Sequence, residues 1–338
     1  MHKTNLMDKL AICILNWNGR KLLEEFLPSV VENSKGYPIY LIDNQSSDDY
    51  LTLLQEKFPD VRVIQNSENH GFAKGYNIGL QSIDAEYFCL LNSDVEVSKN
   101  WIEPVLQLFD TDKNISAIQP KILSYRNKDE FEYAGAAGGF IDNLGYPYCR
   151  GRLFFTIEKD RQQYNDSIEI FWASGACLFI RAKDYWAVDG FDEDFEAHME
   201  EIDLCWRLKN RGKKIMFCGD STVYHLGAAT LKKDSYKKMY LNYRNSLWMN
   251  VKNLPKSRLF PCLFARLSLD GIAAIAFLPS KGFSHLRAVF WSHMHFYRGL
   301  KKMYRKRELH PIKNYYQTKF LVFQYFIATK RKFTDLDN

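Results

Sequence analysis

The chain contains no C-x-x-C pair. Its seven cysteines (Cys13, Cys89, Cys149, Cys177, Cys205, Cys218 and Cys262) are scattered, odd in number and mostly set inside apolar runs. That pattern excludes a disulfide framework and a zinc site, and a reduced, cytosolic setting fits it best. Long apolar runs are also missing. In residues 231–338 the charge-free stretches 271–280 and 320–329 stop at ten residues, against about 20 needed to cross a bilayer, so no membrane span is expected there. The opening segment MHKTNLMDKLAICILNW has charge and a short apolar run, but Asn16 and Gly19 end it and no small-residue cleavage site follows. It reads as a first strand, not a signal peptide. No internal repeat is present. Acids are scarce in one region only: residues 231–338 hold 22 Lys/Arg against 5 Asp/Glu, whereas residues 1–230 hold 24 against 35. Two regions of opposite charge are unlike in their tasks.

The 338 residues are 46% hydrophobic and 25% charged, an ordinary globular balance. The first half alternates short apolar runs with helical periods. LAICILNW (10–17), PIYLID (38–43), VRVIQN (61–66), EYFCLLN (86–92) and ISAIQPKIL (115–123) have the continuous apolar character of strands buried on both faces. Helices are expected over about 20–33, 48–58, 72–83 and 101–110. This β-α order predicts an α/β, Rossmann-like, mostly parallel sheet flanked by helices, with ligands at the carboxyl ends of its strands. Asn16, Asp43 and Asp94 stand at three such ends. Residues 124–170 break into a polar, glycine-rich excursion or hairpin. Order returns with FWASGACLFIRAKDYW, then a helix MEEIDLCWRLKNRG closed by Gly212, a strand KIMFC and STVYHLGAAT.

Several residues in this frame carry chemistry. Asp94, beside the small Ser93, is placed to hold a hard divalent cation bridging two phosphates, though NSD is also good turn chemistry. Asp43 could accept a hydrogen bond from a pyrimidine N3–H, and Asp48 would cap the helix that begins there. NHGFAKGYNIGL (69–80) is neither a Walker nor a G-x-G-x-x-G loop. Its glycines would still allow backbone approach to a ligand at a helix N-terminus, and Lys74 could add a charge near a phosphate. On the helix starting near residue 199, Glu201, Leu204, Cys205 and Leu208 form one stripe, while Glu200, Asp203 and Arg207 share another face. First-turn acids complement the helix dipole, which accounts for Glu200 and Asp203. An acid on the apolar stripe is better explained as a base whose burial raises its pKa toward neutrality. His225 is either a metal ligand or a structural histidine.

Together, LNWNG (15–19), DNQSSD (43–48), NHGFAKGYNIG (69–79), LNSD (91–94), SGACLFIR (174–181), GFDEDF (190–195), EEIDLCWR (200–207) and YH (224–225) resemble, in order, an inverting family 2 glycosyltransferase of the GT-A fold, nearest its rhamnosyltransferase-like branch. The resemblance covers about residues 10–230. It implies a catalytic domain over 1–230, with a nucleotide-sugar half to about 123 and an acceptor half over 124–230. It further implies that Asp43 contacts the nucleobase, with Asn16, Asn69, Gly71, Lys74, Asn77, Asn92 and Ser93 around the nucleotide sugar. Asp94 and His225 would hold Mg²⁺ or Mn²⁺, and Glu201 would be the catalytic base with Glu200 in reserve. Trp172, Gly175, Ala176 and Asp192 would line the acceptor and sugar pocket, Trp172 by stacking. Asn92 replaces the first Asp of the family's D-x-D motif, and Glu201 stands where Asp is usual. The reaction implied is transfer from a UDP- or dTDP-sugar to a hydroxyl of a glycan or lipid-linked acceptor, as in surface polysaccharide synthesis. A sugar nucleotidyltransferase would want a basic glycine-rich N-terminal loop, where LNWNGRKLL offers Arg20 and Lys21. A non-catalytic nucleotide-sugar binder would not need the retained acids.

Residues 231–338 read as a helical, basic, aromatic-rich region. Nucleic acid is not the expected partner, because the aromatics group with Leu and Ile in helical periods and no nucleic-acid module is present. Lys301, Lys302, Arg305, Lys306 and Arg307 instead suggest a surface facing anionic lipid, which would make the protein peripheral on the inner face of the membrane. The alternative is a solvated helical face packed on the catalytic domain.

Overall fold

The computed structural model describes residues 7–227 and 235–337. The end of STVYHLGAAT and the first residues of the basic region lie outside the described residues. The first half folds as β1 (Asp8–Asn16), α1 (Arg20–Asn33), β2 (Ile39–Asp43), α2 (Tyr50–Lys57), β3 (Arg62–Gln65), α3 (Gly71–Leu80), β4 (Ala85–Asn92), β5 (Val95–Val97), α4 (Glu103–Thr111) and β6 (Ile115–Ser124). Each strand and helix expected there is present. The excursion that follows forms a separate four-stranded antiparallel sheet from β7 (Gly139–Ile141), β8 (Pro147–Cys149), β9 (Arg152–Leu153) and β10 (Thr156–Ile157). Then come β11 (Ile168–Ile170), β12 (Cys177–Arg181), α5 (Ala182–Ala187), α6 (Glu200–Asn210) and β13 (Lys214–His225). The four helices that follow are α7 (Tyr236–Asn253), α8 (Lys256–Ala276), α9 (Leu278–Arg305) and α10 (Leu321–Phe326), with irregular chain over 307–320.

The main sheet runs β11-β13-β6-β12-β4-β1-β2-β3, with β5 paired to β13. Its β4-β1-β2-β3 half is parallel, β13 and β6 are parallel again, and β12 runs antiparallel between β4 and β6. Successive residues of β1 face opposite sides of the sheet. Leu10, Ile12 and Ile14 pack with Leu23, Leu27 and Val30 of α1, while Ala11 and Cys13 pack with Ala73, Tyr76 and Leu80 of α3. This two-sided burial is why the run reads as apolar without alternation. The glycines of α3 serve the same packing: a Cβ on Gly79 would stand 2.4 Å from Ile42, and one on Gly75 would stand 2.7 Å from Asn44. They admit neighbouring side chains rather than a ligand, a correction to the sequence expectation. Asp48 is also reassigned. Its carboxylate accepts from the backbone N–H of Arg20 at the start of α1, and the helix nearest it in sequence, α2, begins without a side-chain cap.

The basic region is tied to the α/β unit through α7. Lys252 is buried, with Nζ 2.6 Å from Asp192 Oδ2 and 2.7 Å from Asp203 Oδ2. Asp203 also accepts from Arg207 at 2.7 Å and from Asn253 at 2.8 Å. The Asp203–Arg207 pair, one turn apart on α6, is therefore one edge of a buried network joining α6 to α7. Removing one member of such a network strands the opposite charge in a low-dielectric interior. Lys252→Met should lower the unfolding free energy by about 3 kcal/mol or more, read from urea denaturation. A variant as stable as the parent would show that the remaining partners of Asp192 and Asp203 suffice.

Candidate active site

The carboxyl ends of β1, β2 and β4 converge as expected, each carrying a polar residue. Asn16 and Asp43 are paired across β1 and β2, and Asn16 Nδ2 donates to Asp43 Oδ1 at 3.0 Å. Ser46 donates to the same carboxylate through its hydroxyl at 2.5 Å and its backbone N–H at 2.9 Å. These donors hold Asp43 as a fixed, buried acceptor. Next to it, Asn44 donates to Gly71 O at 2.8 Å and accepts from Asn66 at 2.8 Å. Asn69 accepts from the Gly71 N–H at 2.9 Å, opening α3 where Gly71 takes φ +74°. Asn44 and Asn66 were missed by sequence reasoning, although both stand directly after a strand. Lys74 lies half-buried on α3. Asn77 is spent internally: it donates to Phe191 O and accepts from Tyr185 Oη and Phe191 N. It pins the GFDEDF turn to α3.

The second group gathers around Asp94. His225, at the end of β13, pairs with Val95, and its Nε2 lies 3.1 Å from Asp94 Oδ1. On the other side of the ring, Nδ1 lies 3.6 Å from Glu132 Oε1. Glu132 is buried, and its second oxygen accepts from the Ala134 N–H. Nothing in the sequence flags this acid, which sits in the polar excursion. Burial alone would depress the His225 pKa. The Glu132 charge and hydrogen bonding to Asp94 and Glu132 outweigh that and hold it at about 10, so a cation binding at Nε2 would displace a proton. The donor chemistry suits a hard divalent cation. Asp94 and Nε2 lie together on one side of the ring, and Glu132, 3.6 Å from Nδ1 on the other side, orients it. One carboxylate and one imidazole leave the remaining positions to phosphate oxygens and water, as Mg²⁺ or Mn²⁺ sites prefer.

The third group links the first two to α6. Asn92 N–H donates to Ala176 O at 3.0 Å, so Gly175 and Ala176 flank the Asn92–Asp94 turn. Ser93 and Asn92 are half-buried there. A side chain on Gly175 would stand 3.9 Å from Glu201 Cβ and 3.6 Å from the Phe72 ring. Thus the start of the Glu201 side chain lies against Gly175, in the segment that is hydrogen-bonded to the Asn92–Asp94 turn. Both acids of the pair keep one buried, unpartnered oxygen, Oε2 in each case. Burial raises the Glu201 carboxyl to about 7, against the opposing pull of backbone amides at the helix start. Burial and the Glu201 charge push Glu200 well above the carboxylate range. Met199, in the left-handed region at φ 73°, turns the chain into α6. Asn245 of α7 holds that turn by donating to Phe195 O, Ala197 O and His198 O at 2.8–2.9 Å.

Two expected pocket residues lie elsewhere. Trp172 is 3% exposed, its indole N–H donates to Phe140 O at 2.9 Å, and its ring presses on Gly139. It is a core side chain and has no face free for stacking. Asp192 is taken by Lys252 and by Lys306, whose Nζ lies 2.6 Å away. Burial would raise its pKa, but the two lysines outweigh that and hold the carboxyl far below its usual range.

The sequence model of glycosyl transferase family 2 matches residues 11–188, over half of the chain. The chain belongs to glycosyl transferase family 2. It is 24% identical over 260 residues to an N-acetylglucosaminyl-diphospho-decaprenol L-rhamnosyltransferase of Mycobacterium tuberculosis, covering 71% of this chain and 83% of that one. It is likewise 24% identical over 247 residues to a low-salt glycan biosynthesis hexosyltransferase of Haloferax volcanii, covering 71% and 75%. The fold matches that of S. aureus TarS 1–349 solved with UDP-GlcNAc, at TM-score 0.58 and 13% identity over 88% of this chain and 84% of that one. It also matches mannosyltransferase PcManGT of Pyrobaculum calidifontis, solved with GDP-Man and Mn²⁺, at TM-score 0.52 and 11% identity over 89% and 84%. This family 2 chain has the GT-A architecture. The residues matched by the family end before α6, so Glu200, Glu201 and His225 rest on the geometry above.

Proposed function

We propose that this family 2 protein transfers a sugar, with inversion, from a UDP- or dTDP-sugar to a hydroxyl of a glycan or lipid-linked acceptor. The observation that carries it is the placement of Glu201 against Gly175, at the strand end that bears Asp94. Asp43 takes the pyrimidine N3–H, and Asn16 and Ser46 keep its carboxylate oriented. Asp94 and His225 would hold Mg²⁺ or Mn²⁺ beneath the diphosphate, where a bound cation neutralises charge on the departing phosphate oxygens. Glu201 accepts the proton of the acceptor hydroxyl as that oxygen attacks the anomeric carbon. With a single base facing one leaving group, displacement is in line and no covalent sugar intermediate is needed. Glu200 is the alternative base, and burial beside Glu201, which favours its protonated form, argues for Glu201 over it. Gly175 leaves the space in which the sugar sits.

The rhamnosyltransferase relative carries a decaprenol-linked compound in its name, which supports a lipid-linked acceptor here. Such an acceptor would make this enzyme peripheral to a membrane and place it in surface polysaccharide synthesis. A panel of nucleotide sugars with Mn²⁺ tests the donor assignment by thermal shift and by release of nucleoside diphosphate. A donor at one hundred times its Kd adds about 2.7 kcal/mol of stability. The largest shift is expected from a UDP- or dTDP-sugar. A chain that no pyrimidine nucleotide sugar stabilises would overturn the reading, and stabilisation without turnover would make it a binder.

A further inference from the structure

The helix α8 is inverted relative to a helix of a water-soluble surface. Its two mid-helix charges, Arg266 and Asp270, face the protein, while Ser268 and the first-turn Lys256, Ser257 and Arg258 are exposed. Arg266 is buried and donates to Leu144 O, Gly145 O and Ser246 Oγ at 2.8–3.2 Å. Asp270 is buried beside Tyr146 and His293. Cys262, Arg266, Asp270 and Ala274, spaced four apart, are the buried residues of this helix. Phe260, Phe264, Ile272 and Ile275 occupy the opposite side and are 62–79% exposed. The expectation that no span reaches membrane length is corrected here, since the 21 residues of α8 are long and apolar enough to cross one. Counting charge-free runs stopped at Arg266 and Asp270, which both point inward.

The apolar surface continues beyond α8. Phe155 lies 6.1 Å from Phe277, just past the end of α8, and 6.3 Å from Phe326 of α10, ring to ring. Phe323 and Ile327 on and beside α10 are exposed as well. Along α9, Phe283, Phe290, Tyr297 and Tyr304 are exposed at intervals of seven residues, two helical turns. Arg287, Arg298, Lys301 and Arg305 are exposed among them. The sequence expectation placed lipid contact at 301–307, and the structure divides that cluster. Lys302 and Lys306 pair with Asp192 and Asp194, and Arg307 donates to Val251 O and Leu254 O. Lys301 and Arg305 alone of the five remain outward.

We propose that the outer side of α8, with Phe155 and α10, is a membrane-docking surface that lies in the interface of an anionic bilayer. A helix with its mid-helix charges turned inward, large apolar residues outward and Lys256 and Arg258 exposed at one end fits the boundary between headgroups and acyl chains. The basic excess of residues 231–338 favours anionic headgroups and opposes a second copy of the same positively charged surface. The docking deepens the reading of a lipid-linked acceptor, since it would hold the enzyme where that acceptor resides.

The test is sedimentation of the full chain with vesicles of phosphatidylcholine alone or mixed with phosphatidylglycerol, in the absence of donor and acceptor. The parent should pellet with the mixed vesicles. The combined variant Phe260→Ser, Phe264→Ser, Ile272→Ser, Ile275→Ser should partition at least about one hundredfold less, given the apolar area withdrawn. Its unfolding midpoint and soluble donor hydrolysis should match the parent. Arg298→Gln with Lys301→Gln and Arg305→Gln should weaken binding to mixed vesicles and reduce its salt dependence. A parent that stays in the supernatant with mixed vesicles at low salt overturns the proposal. So does a vesicle-independent dimer that the four serines dissociate, which would make the surface a self-association interface. Because neither readout uses transfer, failure here is distinct from failure of the transfer reading.

Discussion

Glu201→Gln should lower glycosyl transfer by about 10²–10⁴-fold, the usual contribution of a positioned general base, while nucleotide-sugar affinity stays at the parent value. The amide keeps the shape of the side chain against Gly175 and removes its ability to accept the acceptor proton. Glu200→Gln separates the two acids. If Glu201 is the base, this variant retains most of its activity, because Glu200 is held protonated by burial and by its neighbour's charge. If Glu200 carries the proton transfer, the two phenotypes exchange. Near-parental transfer by Glu201→Gln would remove the base assignment outright.

The same carboxyl predicts a pH signature. With its pKa at about 7, Glu201 is an active base above neutrality, so transfer should fall as pH drops through that value. Stability should move the opposite way. The carboxyl is raised from 4.5 in the usual state to about 7 in the fold, so the native state holds its proton more tightly than the unfolded chain does. Its contribution to stability is complete below 4.5 and is lost as pH rises through about 7. Glu201→Gln should therefore gain thermal stability over the parent at pH 8 and much less at pH 5. Activity lost and stability gained by one isosteric change would identify a buried catalytic carboxylate, which mere scaffolding acids do not give.

The elements of the first half were readable because β1, β2 and β4 are apolar on both faces and their runs end in polar residues. That same feature located Asn16, Asp43 and Asp94 together. Glu201 lies beside the Leu204–Cys205–Leu208 stripe, but Glu200, Asp203 and Arg207, expected on a dipole-complementing face, are buried as well, because α7 covers that side of α6. What escaped were properties of faces and neighbours rather than of runs. Trp172 looked available for stacking because a linear reading cannot see Gly139 beneath its ring. Gly75 and Gly79 looked like ligand-facing positions, whereas the Ile42 and Asn44 side chains fill the space. Arg266 and Asp270 interrupt α8 in sequence without interrupting its outer surface. Asp192 sits in a recognised motif, yet its partners Lys252 and Lys306 come from the basic region. The charge asymmetry between the two regions is therefore partly consumed in joining them.

Asp94→Asn should abolish measurable Mn²⁺ binding in a titration followed by electron paramagnetic resonance, and transfer should fall with it. Among the described residues, Asp94 and His225 would be the protein ligands of the cation, so removing the one carboxylate charge leaves too little to compete with water. The sharper expectation concerns Glu132, which touches neither sugar nor phosphate in this reading. It would act through His225: with Oε1 3.6 Å from Nδ1, it keeps the proton on Nδ1, so that a cation displaces the one on Nε2. Glu132→Gln should weaken Mn²⁺ binding by about 10–100-fold, as loss of an outer partner of a ligating histidine does. Glu132→Asp should recover part of that affinity. Because the readout is metal affinity in the absence of donor, it separates ring positioning from a general structural role. Parental Mn²⁺ affinity in Glu132→Gln would reduce Glu132 to a buried acid that merely secures the Ala134 amide.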